Sequence, residues 1–238
     1  MDPISYINGF LEKAGIQIKK FPLLDARRRM LLIRHFAINK IFDIGASTGI
    51  FGMEMRKIGF RGSIISFEPL KEPYRQLLLK TQKDTKWIAV NCAVGDSDGE
   101  TIINRSLNSV SSSILDILPE HCESDPDAAF IGQENIRICR LDSVFHSYYE
   151  PGDKIYLKAD TQGFEKNILT GAEKSLPHIT GMQLELSIAE LYKDAPGYLE
   201  MLKLIESAGF SLYSIENGFF DKKTGRLLQF DGVFFRKE

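Results

Sequence analysis

Short apolar segments alternate with longer amphipathic segments along most of the chain from residue 40 onward. The apolar runs have the length of buried strands, and the amphipathic segments carry apolar residues at helical spacing. This pattern predicts strands over residues 41–44, 63–67, 87–94, 154–159 and 181–186, and helices over residues 50–58, 73–83, 165–174 and 196–208. Such alternation is typical of a parallel sheet with right-handed crossovers. We therefore expect a doubly wound α/β fold.

The first 39 residues follow a helical pattern without strands. Apolar residues recur at helical spacing near the start, and a glycine that can end a helix follows them: Ile4, Ile7, Phe10, Leu11, Ala14 and then Gly15. A second helix is predicted over residues 24–35, where three consecutive arginines at 27–29 form either a solvated face or a contact for an anionic substrate. We expect a helical extension over residues 1–39 and an α/β domain over residues 40–238.

The middle and the end of the chain depart from the regular alternation. Residues 95–145 contain two short predicted strands, 101–104 and 136–140, around a serine-rich and acidic insert. This insert is interpreted either as a mobile lid or as a solvated connection. The last predicted strands, 211–215 and 232–236, are joined by a loop instead of a helix. The sheet is therefore expected to end in an antiparallel pair.

The composition of the chain argues against several classes of binding partner and location. The formal net charge of −2 gives no bulk attraction for nucleic acid, so no nucleic-acid partner is expected. Cys92, Cys122 and Cys139 are widely spaced and form no zinc-binding pattern. No secretory signal and no apolar run of membrane-spanning length is visible. These absences lead us to expect a cytoplasmic protein, and a homo-oligomer stays open.

The most informative motif is the turn after the first predicted strand. Gly45 and Gly49 allow a ligand to approach the backbone, and Ala46 and Ser47 lie between them at the start of a helix. Free N–H groups at a helix start suit an anionic group such as a carboxylate. Asp43, just before the turn, can accept a hydrogen bond from an ammonium group. The motif predicts a ligand that carries both groups.

Acidic and polar residues follow at the ends of the next two strands. Glu68 lies about 20 residues past the glycine turn, where a carboxylate can accept from both hydroxyls of a ribose. Pro69 then turns the chain away, and the third strand ends near Asn91 and Ala93, where the adenine ring of the cofactor usually lies in the class I methyltransferase fold. A ligand with a carboxylate, an ammonium group, a ribose and an adenine describes S-adenosylmethionine.

A nicotinamide-dependent oxidoreductase is the main rival interpretation. Its fingerprint is G-x-G-x-x-G, but Ser47 stands where the second glycine would let a pyrophosphate approach. Asp43 would also repel a pyrophosphate. A non-catalytic module that keeps the fold is a third interpretation, although Asp43, Gly45 and Glu68 are all present. The sequence favours a class I, Rossmann-like methyltransferase fold, which is a seven-stranded, mostly parallel sheet with an antiparallel terminal strand and helices on both faces.

The chain resembles the FkbM-type methyltransferase family in three blocks. These are residues 42–49 (FDIGASTG) with 67–69 (FEP), residues 140–144 (RLDSV), and residues 157–165 (LKADTQGFE) with 168–172 (ILTGA). The K-x-D-x-Q-G-x-E pattern of the third block is uncommon outside the family. Ser47 departs from the frequent asparagine, and Ala159 and Thr161 from aliphatic residues. The resemblance implies methyl transfer to a hydroxyl, often on a sugar, polyketide, other secondary metabolite or glycan.

Candidate catalytic residues lie after the later strands. Asp160 ends the fourth strand of the regular alternation, and its role stays open between general base, metal ligand and orienter of cofactor or acceptor. Glu185, inside an apolar strand, is either functional or part of an ion pair. His121 can reach the site from the insert if this forms a lid. Glu165 and Asp142 are explained by helix starts. Asp160 and Glu185 suit a divalent cation, but no metal is predicted.

These observations lead to one functional hypothesis. We expect an S-adenosylmethionine-dependent O-methyltransferase whose acceptor is a small molecule, a sugar or a glycan.

Overall fold

A computed structural model describes residues 7–8, 11–16, 18 and 21–237. Within them the strands are β1 (Lys40–Ile44), β2 (Ser63–Phe67), β3 (Trp87–Val90), β4 (Ala93–Gly95), β5 (Gly99–Ser106), β6 (Phe130–Arg140), β7 (Ile155–Ala159), β8 (Ile179–Ser187), β9 (Phe210–Asn217) and β10 (Gln229–Arg236). The α-helices are α1 (Leu24–His35), α2 (Ile50–Lys57), α3 (Lys71–Thr81), α4 (Pro119–Ser124), α5 (Leu141–Val144), α6 (Glu165–Thr170) and α7 (Tyr198–Ser207). Short 3-10 helices cover Glu12–Ala14, Pro126–Ala128, Phe145–Ser147 and Leu176–His178.

The main sheet has seven strands in the order β3-β2-β1-β7-β8-β10-β9. Pairings from β3 to β8 are parallel, while β10 runs antiparallel to both β8 and β9. The order reverses between β1 and β7, so the carboxyl ends of these two strands form the crevice in which α/β sheets bind ligands. The expected class I fold is confirmed.

Alternating side chains of the strands build a core on each face of the main sheet. Phe42 and Ile44 point into one core, which α7 completes, and Ile41 points into the other. The second core also contains Met30 and Ile33 of α1. Helix α1 therefore covers the sheet as an integral layer of the fold.

A buried ion pair fixes α1 at this position. Arg29, the last of the three consecutive arginines, donates to both carboxylate oxygens of Glu216 on β9, at 3.0 and 2.5 Å. It also donates to Glu54 of α2 at 2.7 Å. Arg29 and Glu216 are both buried, so this arginine is structural and does not face a substrate. The predicted helix through Ile4 and Phe10 includes residues outside the described ranges, and Gly15 closes the described 3-10 turn with a φ of 69°.

Two sequence expectations about the middle of the chain need correction. The third strand ends at Val90 instead of continuing to residue 94, because β4 leaves the main sheet and pairs with β6. The insert is neither a bare lid nor a plain connection. It contains α4, a 3-10 helix and the adjoining ends of β5 and β6, in which the predicted strands 101–104 and 136–140 lie, and strands β4-β6-β5 form a second, three-stranded sheet. Among the described residues, no helix has both the length and the apolar character needed to cross a membrane.

Candidate active site

The glycine turn after β1 packs directly against the end of β7. Gly45 has a φ of 73°, and a Cβ atom at this position would lie 2.1 Å from the carbonyl oxygen of Asp160. Any side chain at residue 45 would therefore separate the two strand ends. The backbone N–H groups of Gly45 and Ala46 both donate to the carbonyl of Phe67 at the end of β2. The turn thus joins the carboxyl ends of three neighbouring strands.

Glu68 closes the other side of the turn. Its carboxylate accepts from the backbone N–H of Ser47 at 2.8 Å and from that of Leu70 at 2.9 Å. Burial raises the pKa of Glu68 to about 7, although these two hydrogen bonds act in the opposite direction. The Asn91 amide donates to the carbonyl oxygens of Glu68 and Pro69, both at 2.9 Å, and so holds this loop in place.

A cavity opens between the glycine turn, the end of β7 and the insert. Polar groups of its lining come from Ser47, Glu68, Asp160 and Gln162, and apolar side chains make up much of the rest. These apolar residues include Ile44, Phe67, Leu70, Ala93, Val94, Ile103 and Phe164. The segment of residues 109–114, called the serine segment below, forms part of the wall.

Not every predicted cofactor residue reaches this cavity. Gly45, Ser47, Glu68, Pro69, Ala93 and Asp160 line it. The other four, Asp43, Ala46, Gly49 and Asn91, lie outside its lining. Gly49 is required by packing, because a Cβ atom there would lie 2.7 Å from Leu77 and 3.2 Å from the ring of Trp87. Asn91 acts on the neighbouring backbone, and Asp43 lies beneath the turn.

An ion-paired lysine connects Asp43 with Asp160. The Lys158 ammonium lies 3.6 Å from Asp43 Oδ1 and 3.5 Å from Asp160 Oδ2, and it donates to the carbonyl of Gly45 at 3.4 Å. Burial lowers the pKa of Lys158, but nearby carboxylates, led by those of Asp160 and Asp43, together raise it above its usual value, so the ammonium stays charged. Asp43 is fully buried, and its Oδ2 accepts from Ser66 at 2.9 Å. Among the described residues, its Oδ1 accepts no hydrogen bond.

Asp160 also belongs to a network of amides and carboxylates. The side-chain amide of Gln162 donates to Asp160 Oδ1 and to Glu185 Oε2, both at 2.9 Å. Gln229 donates to the same oxygen of Glu185 at 2.8 Å. Burial, followed by the charge of Asp160, raises the pKa of Glu185 well above its usual range. Glu185 thus belongs to the site through Gln162, and no salt bridge to it is present among the described residues.

Tyr192 extends this network to the insert. Its hydroxyl lies 2.9 Å from Gln162 Oε1 and 2.9 Å from the carbonyl oxygen of Ser111. The Ser113 hydroxyl donates to the backbone carbonyl of Gln162 at 2.8 Å. Lys158 and Gln162 enter the sequence prediction as members of the K-x-D-x-Q-G-x-E pattern but without an assigned role, and Tyr192 is not named there. The position of a charged residue inside the apolar run of β7 is a further signal that marks Lys158.

The prediction that His121 reaches the site from a lid is not supported by its position. His121 is buried, and its ring packs against Tyr192 and Phe219 with centroids 5.1 and 5.3 Å apart. It does not line the cavity. Burial lowers the pKa of His121, because a charged imidazole would be poorly solvated between these rings. The histidine supports the wall behind Tyr192.

The two acids assigned to helix starts have structural partners. Glu165 accepts from the backbone N–H and the hydroxyl of Thr161 at 2.7 and 3.0 Å, and burial raises its pKa to about 7. Asp142 accepts from the backbone and hydroxyl of Ser175 at 2.8 and 2.6 Å. Neither residue lines the cavity. Within the described residues, no group of three or more histidine, cysteine or acidic side chains is arranged to hold a metal ion.

The fold and the cavity define a Rossmann-like methyltransferase architecture, and comparison with known families agrees. The methyltransferase FkbM domain matches residues 43–212, so the chain belongs to this family. This confirms the expected class of protein and its methyl donor, S-adenosylmethionine. The nicotinamide-dependent interpretation is therefore set aside. No curated protein matches the chain.

Solved structures resemble this chain at low sequence identity, and the one with a TM-score above 0.5 shares its fold. A methyltransferase FkbM from Methylobacillus flagellatus superposes with a TM-score of 0.52 and 15% identity, covering 83% of this chain but 44% of that one. A 1,6-didemethyltoxoflavin-N1-methyltransferase from Burkholderia thailandensis gives a TM-score of 0.48 and 10% identity, covering 98% and 86% of the two chains. The chain thus spans less than half of the Methylobacillus protein. At these identities the likeness concerns the fold alone.

Proposed function

We propose that this protein is an S-adenosylmethionine-dependent O-methyltransferase that acts on a hydroxyl of a small molecule, a sugar or a glycan. The observation that carries the proposal is the position of Asp160. Its side chain is 37% exposed at the carboxyl end of β7, beside the glycine turn and in the wall of the cavity. A carboxylate at this place can accept the proton that an acceptor hydroxyl loses.

The lining of the cavity fits the cofactor chemically. Glu68 offers carboxylate oxygens to ribose hydroxyls, and Leu70, Ala93 and Phe164 offer an apolar surface to an adenine ring. The buried Asp43 carboxylate, with one oxygen that accepts no hydrogen bond from the described residues, adds negative charge beneath the turn. When bound, S-adenosylmethionine supplies a methyl group activated by a positively charged sulfur.

The residues around Asp160 prepare it for proton transfer. The Lys158 ammonium lies 3.5 Å from Asp160 Oδ2 and balances part of the charge of the carboxylate. The Gln162 amide donates a hydrogen bond to the other oxygen, Oδ1. This arrangement holds the carboxylate in one orientation toward the cavity. Alignment of an acceptor hydroxyl with the methyl group contributes a further part of the acceleration, since positioning alone lowers such barriers.

A small or glycan acceptor fits the charge of the chain better than a nucleic acid. The formal net charge is −2, and acidic side chains dominate the site. Phosphate backbones are bound through lysine and arginine side chains. The acidic site would repel the phosphate groups of a nucleic acid, but it would not repel a neutral hydroxyl compound.

The test is a methyl-transfer screen with isotopically labelled S-adenosylmethionine over hydroxylated small molecules, sugars, glycans, amines and RNA. We expect label in a hydroxyl compound, and at least a 100-fold loss of turnover in Asp160→Asn. Glu173→Gln, which neutralises an exposed acid outside the cavity, is the matched control. Label found only in amines or RNA would overturn the assignment. Cofactor binding without transfer to any acceptor would favour a non-catalytic module.

A further inference from the structure

The residue two positions after Asp160 has an unusual backbone conformation. Gln162 has a φ of 58°, in the left-handed region that glycine and asparagine adopt most readily, and Gly163 follows with a φ of 94°. A glutamine is less favourable there than a glycine or an asparagine, and the contacts of its side chain offset this cost. Such outliers persist where surrounding contacts fix them, and they cluster at functional sites.

Every polar group of the Gln162 side chain has a partner. The two amide hydrogens point to Asp160 Oδ1 and Glu185 Oε2, and Oε1 lies within hydrogen-bond distance of the Tyr192 hydroxyl. The partners decide which way the amide faces, because a reversed amide would place Oε1 against two carboxylates. The orientation of Gln162 is therefore set by groups on both of its sides.

The same residue is joined to the wall of the cavity. Tyr192 also contacts the carbonyl of Ser111, and Ser113 donates to the carbonyl of Gln162. Both serines belong to the serine segment, of which residues 109, 110 and 112–114 line the cavity. Tyr192 is fully buried, so these contacts are shielded from water. The position of the segment and the position of the Asp160 carboxylate are thus linked through one side chain.

We infer that Gln162 is a positioning residue that holds the Asp160 carboxylate toward the reacting groups. Tyr192, whose single hydroxyl hydrogen is shared between Gln162 Oε1 and the carbonyl oxygen of Ser111, fixes the Gln162 amide and couples it to the serine segment. This inference rests on the proposed function, since it assigns Asp160 the role of base. It adds that the contacts of the serine segment with Gln162 and Tyr192 control the orientation of the Asp160 carboxylate. Neither Gln162 nor Tyr192 transfers a proton itself.

The preference of the protein for a cationic over a neutral ligand provides a readout that needs no acceptor. S-adenosylmethionine carries a positive sulfur and S-adenosylhomocysteine a neutral one, so the ratio of their dissociation constants reports negative charge beside the sulfur. Charged and titratable groups that interact with Asp160 come from several elements: Asp43 on β1, Lys158 on β7, Glu165 on α6, Glu185 on β8, Asp231 on β10 and Tyr192. Their contribution is common to the wild type and the variants.

Calorimetric titration of both ligands at one fixed pH tests Gln162. Gln162→Asn keeps an amide and suits the left-handed backbone, but it is too short to reach both acids. Loss of the hydrogen bond that orients the Asp160 carboxylate should lower the preference for the cationic ligand about threefold. Gln162→Glu replaces the donor with a third acid that repels Asp160, and with an acceptor from the screen it should lower kcat at least about tenfold. A residue that only supports the fold would lower the melting temperature and leave the ligand preference in place.

Tyr192→Phe tests the coupling to the insert, because it removes the hydroxyl and keeps the ring that packs on His121. With an acceptor from the screen, we expect kcat to fall at least tenfold, while the affinity for S-adenosylhomocysteine changes less than threefold. Tyr213→Phe, on β9 and partly exposed, is the control. An unchanged kcat in Tyr192→Phe overturns the coupling.

The variants of Asp160 and of Gln162 test the base and the positioning residue separately. If Asp160→Asn keeps its turnover and its preference for the cationic ligand, the assignment of Asp160 is wrong. If Asp160→Asn loses both, while Gln162→Asn keeps the wild-type ligand preference and Gln162→Glu keeps the wild-type kcat, Asp160 is the base and the positioning role of Gln162 is wrong.

Discussion

Replacing Glu68 with glutamine should make the protein more stable at alkaline pH and weaken its hold on the cofactor. Glu68 is 5% exposed, and burial raises its pKa from 4.5 to about 7. Because the folded state prefers the protonated acid, the associated stability is present below about pH 4.5 and is lost as the pH rises through 7. A difference of this size corresponds to about 3 kcal/mol between the two limits.

Glutamine removes this penalty but cannot replace every hydrogen bond. The carboxylate accepts from the N–H groups of Ser47 and Leu70 on separate oxygens, and glutamine has one carbonyl oxygen for the two donors. The lost bond costs about 1 kcal/mol. Glu68→Gln should thus match the wild type near pH 5 and exceed it by about 2 kcal/mol at pH 8. For a chain of this length, that is about 4–8 °C in melting temperature.

Thermal unfolding from pH 5 to 9, together with calorimetric binding of S-adenosylmethionine, measures both effects. The dissociation constant should rise about tenfold, since glutamine accepts hydrogen bonds more weakly than a carboxylate. Glu165→Gln is the matched control, because burial also raises the pKa of Glu165 to about 7 but this residue does not line the cavity. It should show the pH-dependent gain in stability without the loss of affinity. A stability difference for Glu68→Gln that stays flat with pH would refute the reasoning.

Other substitutions test the remaining structural assignments. Gly45→Ala places a Cβ atom 2.1 Å from a carbonyl oxygen at a φ of 73°, so it should lower the stability by at least about 2 kcal/mol and abolish cofactor binding, as thermal unfolding and calorimetry can show. Arg29→Ala leaves Glu216 buried without its partner and should cost about 3–5 kcal/mol in urea unfolding, whereas Arg27→Ala, at an exposed position, should change little. Binding of S-adenosylmethionine near pH 6 should release protons, because Glu68, with a pKa of about 7, is expected to bind the ligand as a carboxylate; calorimetry in buffers of different ionisation enthalpy measures this release.

The sequence predicts the glycine turn and the neighbouring acid of the site well, because local patterns determine both. A strand followed by glycines and a helix start places Gly45 and Ser47 at a sheet edge, and an acid after the next strand places Glu68 beside them. The structure brings these residues to one cavity. The third strand was predicted too long, because an apolar run does not show which sheet its residues join.

The sequence does not predict the contacts that depend on tertiary packing. Glu68 shares its carboxylate with two backbone N–H groups because of the turn geometry, which the spacing of acids and glycines does not reveal. His121 was placed in a lid because its partners, Tyr192 and Phe219, are distant in the chain and their packing on it has no local signal. Gln162 lies next to a predicted catalytic residue, yet its left-handed backbone and its contact with Tyr192 appear only in three dimensions.

The buried acids of the site lower the stability of the folded protein when no ligand is bound. Burial is the largest influence that raises the pKa of Asp43 and Glu185, and it raises that of Asp231 to about 6, while Lys158 is the cation that acts on all three. One ammonium cannot neutralise these acids together with Asp160, so the folded chain favours protonated carboxyls here. A ligand that brings positive charge on both its ammonium and its sulfur compensates them, whereas its demethylated product has lost the charge on sulfur. The same excess of acid that destabilises the free protein therefore favours the methyl donor over the product.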